Sequence, residues 1–188
     1  MIINIGGNQL HGSIPAEVGA CSSLRRLILR DNSLTGMLPE FAEKANLDHM
    51  DISKNSIARP IPSGLANCSN FTSIDISSNN LSGSLKVVGK ISTTVQINVS
   101  DNHFTGAMPK TLMKYLKSSP FSFADNPGLC ICCDASSGLR CQRSRYFTPC
   151  ERKSGPGNGQ SKVEIATPGR DFSFQAMHNR VSNKLNGY

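Results

Sequence analysis

The chain has 188 residues, of which 38% are hydrophobic and only 6% aromatic, with no Trp. So few large rings argue against a conventional globular core, and no run of apolar residues is long enough to span a membrane. The net charge of +7 permits an acidic partner without choosing one.

The first eight residues, Met1 to Asn8, lack a basic start and a long apolar run, so they do not read as a secretory signal. They fall inside a repeat, and the chain is expected to be cut on its N-terminal side. Aligning on Asn8, Asn32, Asn55, Asn79 and Asn102 gives steps of 24, 23, 24 and 23 residues. Eight, five and three residues before Asn32 stand Leu24, Leu27 and Leu29. The same offsets give Leu47, Met50 and Ile52, then Phe71, Ile74 and Ile76, then Thr94, Ile97 and Val99. Only Ile3 and Ile5 precede Asn8. Two residues after each Asn come Leu10, Leu34, Ile57, Leu81 and Phe104. Four after come Gly12, Gly36, Gly83 and Gly106, with Arg59 as the exception, and Ile-Pro-like pairs follow in four of the five copies.

Each slot has a physical reading. A short strand puts Leu27 and Leu29 on one face and Arg26, Ile28 and Arg30 on the other. Stacked strands then make a parallel sheet over one continuous apolar core. The Asn side chain satisfies backbone groups where the chain leaves the sheet, forming a ladder. Thirteen residues after each Asn, where coils touch, stand Cys21, Ala45, Cys68 and Ser92, with Tyr115 departing in the last copy. Cys21 and Cys68 therefore read as buried free thiols. Residues 111–118 read as a short helix closing the last coil. The expected fold is a right-handed α/β solenoid with a parallel inner sheet and an irregular or 3₁₀ outer side. Leucine-rich coils occupy residues 1–118, a Cys-rich cap 119–150 and a disordered basic tail 151–188.

Asn-x-Leu-x-Gly-x-Ile-Pro, as in Asn8 to Pro15, resembles the plant-specific leucine-rich repeat class. Ser122-Phe123-Ala124-Asp125-Asn126-Pro127-Gly128-Leu129-Cys130 resembles the C-terminal cap of plant receptor-like kinase ectodomains. Leu24 to Asn32 and Leu38-Pro39-Glu40-Phe41 are most similar to the receptors for endogenous danger peptides. The resemblance implies a horseshoe that binds a secreted peptide on its inner face and docks a co-receptor kinase ectodomain near the last coils and cap. It also implies a parent at the plasma membrane, facing outward, with a signal peptide, a membrane helix and a kinase. Ser161 to Ala166 resembles the run-in to such a helix, yet Thr167-Pro168-Gly169-Arg170 follows at once, so the span is expected to be missing. Kinase signatures are absent, and the segment is not read as an enzyme. A soluble inhibitor of a secreted cell-wall enzyme, or a truncated decoy or non-functional fragment, is the alternative. No cofactor, metal or nucleic-acid partner is expected.

In that extracellular setting the clustered cysteines make a disulfide-closed cap, with Cys130 paired to Cys141 or Cys150. Cys132 and Cys133 remain open. Four sequons, at Asn67, Asn70, Asn80 and Asn98, favour glycosylation of at least one. The ligand face is Arg26, Ile28, Arg30, His49, Asp51, Ser73, Asp75 and Gln96, with Ser53, Ser77, Asn98 and Ser100 alongside. Arg26 and Arg30 could hold one carboxylate between them, or two acidic side chains of an extended peptide. Arg30 could instead pair with Asp51 or Asp31.

Overall fold

Each sequence repeat becomes one coil. In chain order the coils supply β1 (Ile2–Asn4), β2 (His11–Ser13) and α1 (Ala16–Ala20), then β3 (Arg26–Ile28) and β4 (Ser33–Thr35), then β5 (His49–Asp51) and β6 (Ala58–Pro60). The next are β7 (Ser73–Asp75) and β8 (Asn80–Gly83), then β9 (Gln96–Asn98), β10 (His103–Ala107) and α2 (Tyr115–Ser118), and finally β11 (Gly128–Ile131) and β12 (Thr148–Pro149). This computed structural model describes residues 1–91, 96–132 and 147–150. Ser92, Thr94, Cys133, Cys141 and the tail after Cys150 lie outside the described residues, and with them the expectations for that tail. Residues Met1–Arg152 form one unit.

The inner sheet runs β1-β3-β5-β7-β9, all parallel. Its central row is Ile3, Leu27, Met50, Ile74 and Ile97 in register. From Leu27 to Ile97 that row is buried, and so are Leu24, Leu47, Phe71, Leu34, Ile57, Leu81 and Phe104. The first coil differs: Ile2 is 60% exposed, and Ile5 and Leu10 are also exposed. Among the described residues no helix is long and apolar enough to cross a membrane.

A second parallel sheet, β6-β8-β10-β11-β12, runs beside the first, with β2-β4 leading into it through Ala58 N–H donating to the Gly36 carbonyl at 2.8 Å. Its strands β8 and β10 sit on the Asn-x-Leu-x-Gly phrase, and β6 on the copy in which Arg59 replaces the Gly. The sequence predicts an irregular or 3₁₀ outer side, where few side chains alternate. Stacking puts the same extended stretch of every coil side by side, so the backbones pair whatever their side chains. Farther out lie the 3₁₀ turns Ser63–Asn67, Val88–Lys90 and Lys110–Leu112. The helix expected over 111–118 divides into the last of these and α2.

Between the two sheets stands the Asn ladder. Asn102 Oδ1 accepts from Leu81 N–H at 3.0 Å. Its Nδ2 donates to the carbonyls of Ile76, Val99 and Ser100 at 3.0–3.3 Å. Asn32, Asn55 and Asn79 each likewise bridge to the coil before them. Asn8 reaches only its own turn. The preceding residue takes a left-handed backbone (φ 67° at Gly7, and 51–56° at Asp31, Lys54, Ser78, Asp101 and Asp125), which swings the amide inward.

The ladder has a sixth rung absent from the sequence reading. Asn126 accepts from Phe104 N–H and donates to Val99, Phe123 and Ala124 carbonyls. It stands 24 residues after Asn102, so the spacing was visible. The apolar slots before it are not regular, and they hid it. Around it the 3₁₀ turn Pro120–Phe123 closes the open edge of β9, with Val99 N–H donating to Ser122 O at 2.8 Å. A disulfide joins Cys130 to Cys150 and ties β11 to β12, which settles the choice between Cys141 and Cys150.

Two burial expectations are corrected. Cys68 is a buried free thiol, but the free thiol of Cys21 is half-exposed. Ser53 and Ser77 are buried rather than open, since their hydroxyls fold down onto carboxylates of their own strands.

Candidate ligand-binding face

Alternation places all eight expected face residues on the open side of the inner sheet, in three rows. The first is Ile2, Arg26, His49, Ser73 and Gln96, and the second is Asn4, Ile28, Asp51, Asp75 and Asn98, both fixed by register. Two residues on, the third contains Arg30, Ser53, Ser77 and Ser100.

The second and third rows are stitched together within each coil. Asp51 Oδ1 accepts from the backbone N–H and hydroxyl of Ser53 at 3.1 and 2.7 Å. Asp75 Oδ1 does the same for Ser77 at 3.0 and 2.6 Å. Asn98 Oδ1 repeats the pattern with Ser100. Stacked strands lie about 4.8 Å apart, so a third acid in the row would add repulsion. Asn98 instead donates from Nδ2 to Asp75 Oδ2 at 3.2 Å. These bonds hold the row rigid.

Charge changes sign along the face. Arg26 and Arg30 are exposed on the second coil. Arg30 approaches Asp51 at 4.0 Å, one of the two pairings foreseen. Arg26 has no ion-pair partner among the described residues. The arginines are four residues apart, which is about 13 Å along an extended strand. The tight single-carboxylate clamp is therefore corrected: the span suits two acidic groups of an extended chain better than one carboxylate. Asp75 has no cationic partner among the described residues.

Two hollows indent this face. One, of about 620 Å³, is bounded by Arg30, Asp31, Asp51, Lys54 and Asp75 among others. The other, of about 540 Å³, lies between the last two inner strands and a wall made by Tyr115, Ser118, Ser119 and Ser122. Asp75 lines both. The sequence places Tyr115 and Ser118 in the closing helix and Ser122 in the cap, and nothing in it assigns these residues to the face, since no periodicity marks them. The one available signal was Tyr115 itself, a large residue in a slot otherwise held by small ones.

The sequons differ in surroundings. Asn67, Asn70 and Asn80 are exposed and lie off the inner face. Asn70 Nδ2 donates to Asn46 Oδ1 at 2.8 Å. Asn98 is half-buried within the row just described. The free thiols diverge too. The Ser23 hydroxyl beside Cys21 lowers its pKa, whereas burial raises that of Cys68.

A family model described as Leucine Rich Repeat matches residues 23–44 and 46–68. A receptor-like protein kinase of Ipomoea nil is 47% identical over 49 residues, 26% of this chain and 4% of that protein. The structure of PEPR1 with AtPEP1 superposes with a TM-score of 0.58 at 35% identity, over 69% of this chain and 18% of that one. The BIR2 ectodomain of Arabidopsis thaliana gives 0.58 at 30% identity, over 68% of this chain and 67% of that one. The Arabidopsis receptor kinase HAESA, solved with the peptide hormone IDA and the co-receptor SERK1, gives 0.54 at 28%, over 70% of this chain and 26% of that one. The chain thus spans a small part of the kinase and of two of these receptors.

Proposed function

We propose that this chain, which belongs to the leucine-rich repeat family of plant receptor ectodomains, supplies part of a receptor surface that binds a secreted peptide and docks a co-receptor kinase ectodomain. Its parent is then a plasma-membrane receptor facing the cell exterior, and this segment works by recognition without a chemical step. The observation that carries the reading is the inner face itself: polar rows fixed by register, with Arg26 and Arg30 exposed on one coil. PEPR1 and HAESA, both similar here, were solved with peptides bound, and HAESA with a co-receptor as well. Glycans on Asn67, Asn70 or Asn80 would leave the inner face open, whereas one on Asn98 would disrupt the row.

Arg26 and Arg30 offer always-charged forks to acidic side chains or a C-terminal carboxylate. Shielded charge-assisted bonds contribute about 1.5–3 kcal/mol each, exposed ones far less, and Arg30 must leave Asp51 to contribute. Replacing both by Ala should weaken binding of AtPEP1, titrated calorimetrically against the parent ectodomain, by about tenfold, with the fold intact. Unchanged affinity would reduce these arginines to solvated surface.

A further inference from the structure

We infer that the hollow between β9 and α2 is a subsite for a cationic side chain, a guanidinium or ammonium group of an extended peptide; the peptide rests on the receptor reading above, the cation site does not. Asp75 carries the only formal charge among the described residues lining this hollow. Its partner in the row, Asp51, is matched by Arg30, but no cation among the described residues meets Asp75. What Asp75 receives instead is hydrogen bonds from Ser77 and Asn98, which aim the carboxylate and leave its charge unneutralised. A half-buried carboxylate without a counter-charge attracts a cation more strongly than one in bulk water. Around it, Gln96 and the hydroxyls of Ser118, Ser119 and Ser122 offer further oxygen acceptors to a many-donor group such as guanidinium.

Placement favours the same occupant. Asp75 also lines the hollow containing Arg30, so the two depressions meet there. From the arginine coil to the coils of Asp75 and Gln96 is two to three strand steps, about 10–14 Å. An extended peptide covers that in about three to four residues. A ligand with an acidic group at one end and a basic side chain three or four residues away would meet opposite charge at both ends.

N-acetyl-arginine methylamide, a cation without a carboxylate, probes the hollow apart from the arginine clamp. Titrated into the isotope-labelled full chain, it should shift the amide resonances of Gln96, Asn98 and Ser119. The neutral citrulline analogue should bind at least about fivefold more weakly. Asp75→Asn should abolish the preference for the cation, and Asn98→Asp should strengthen it. The row already carries two adjacent carboxylates, Asp51 and Asp75 in register, and a third beside Asp75 adds repulsion that a bound cation relieves. If Asp75→Asn misfolds, the citrulline comparison on the wild-type chain and the Asn98→Asp variant still decide. Equal shifts with citrulline, or none at these residues, would overturn the proposal. Cation binding that survives Arg26→Ala, where that substitution leaves peptide affinity unchanged, would discard the peptide clamp and keep the subsite.

Discussion

Arg59 shows how one residue can oppose a repeat. It occupies the slot held by Gly12, Gly36, Gly83 and Gly106, all with φ between 78° and 85°, and is itself forced to φ 79°. A left-handed backbone costs a side-chain-bearing residue about 1–2 kcal/mol. Glycine would remove that cost and lose about 0.4–1 kcal/mol to unfolded-chain entropy. Arg59→Gly should therefore raise stability by roughly 0.5–1 kcal/mol in urea unfolding, and a loss of stability would contradict the strain. The repeat made this residue visible as a misfit, whereas only the backbone angle showed that it is strained.

Among the elements, the Asn ladder couples the coils most directly. Asn102→Ala would orphan the Leu81 amide and several buried carbonyls. Leaving such groups unpaired costs about 1–3 kcal/mol each, so a total near 3–5 kcal/mol is expected, on the scale of the largest single-site effects. Asn8, whose exposed side chain bonds only within its own turn, should cost about 1 kcal/mol or less on truncation. Denaturant titration of the two variants checks the contrast, and similar losses would mean that the bridges between coils contribute little. The five rungs from Asn8 to Asn102 were legible because their slots recur together. Asn126 was not, since its neighbours follow cap chemistry.

Over the whole molecule, stability should be graded along the solenoid, because each coil contacts only its neighbours. One end exposes Ile2, Ile5 and Leu10. The other is closed by Asn126, the buried rings of Phe123 and Phe147, and the Cys130–Cys150 bond. That bond spans 20 residues and constrains the unfolded chain by about 3 kcal/mol. Amide exchange should be fastest in residues 1–23, slowest in 47–80, and accelerated in 126–131 by Cys150→Ser. Uniform exchange along the chain, or no local change at the cap, would argue against a graded solenoid.

By itself the sequence determined what repetition repeats: the coil length, the inner strands, the buried row from Leu27 to Ile97, and the face on which Arg26, Asp51 and Asp75 stand. These follow from local alternation and a fixed period, and each copy confirms the others. Tertiary structure decided what arises between coils and off the period. It paired Cys130 with Cys150, buried Ser53 and Ser77 under their carboxylates, and made a second sheet from phrases with no strand alternation. It also brought α2 beside β9 to form the hollow at Asp75. The physical reason is one of distance: such features depend on where one coil's backbone lies against the next, and no single repeat contains that information.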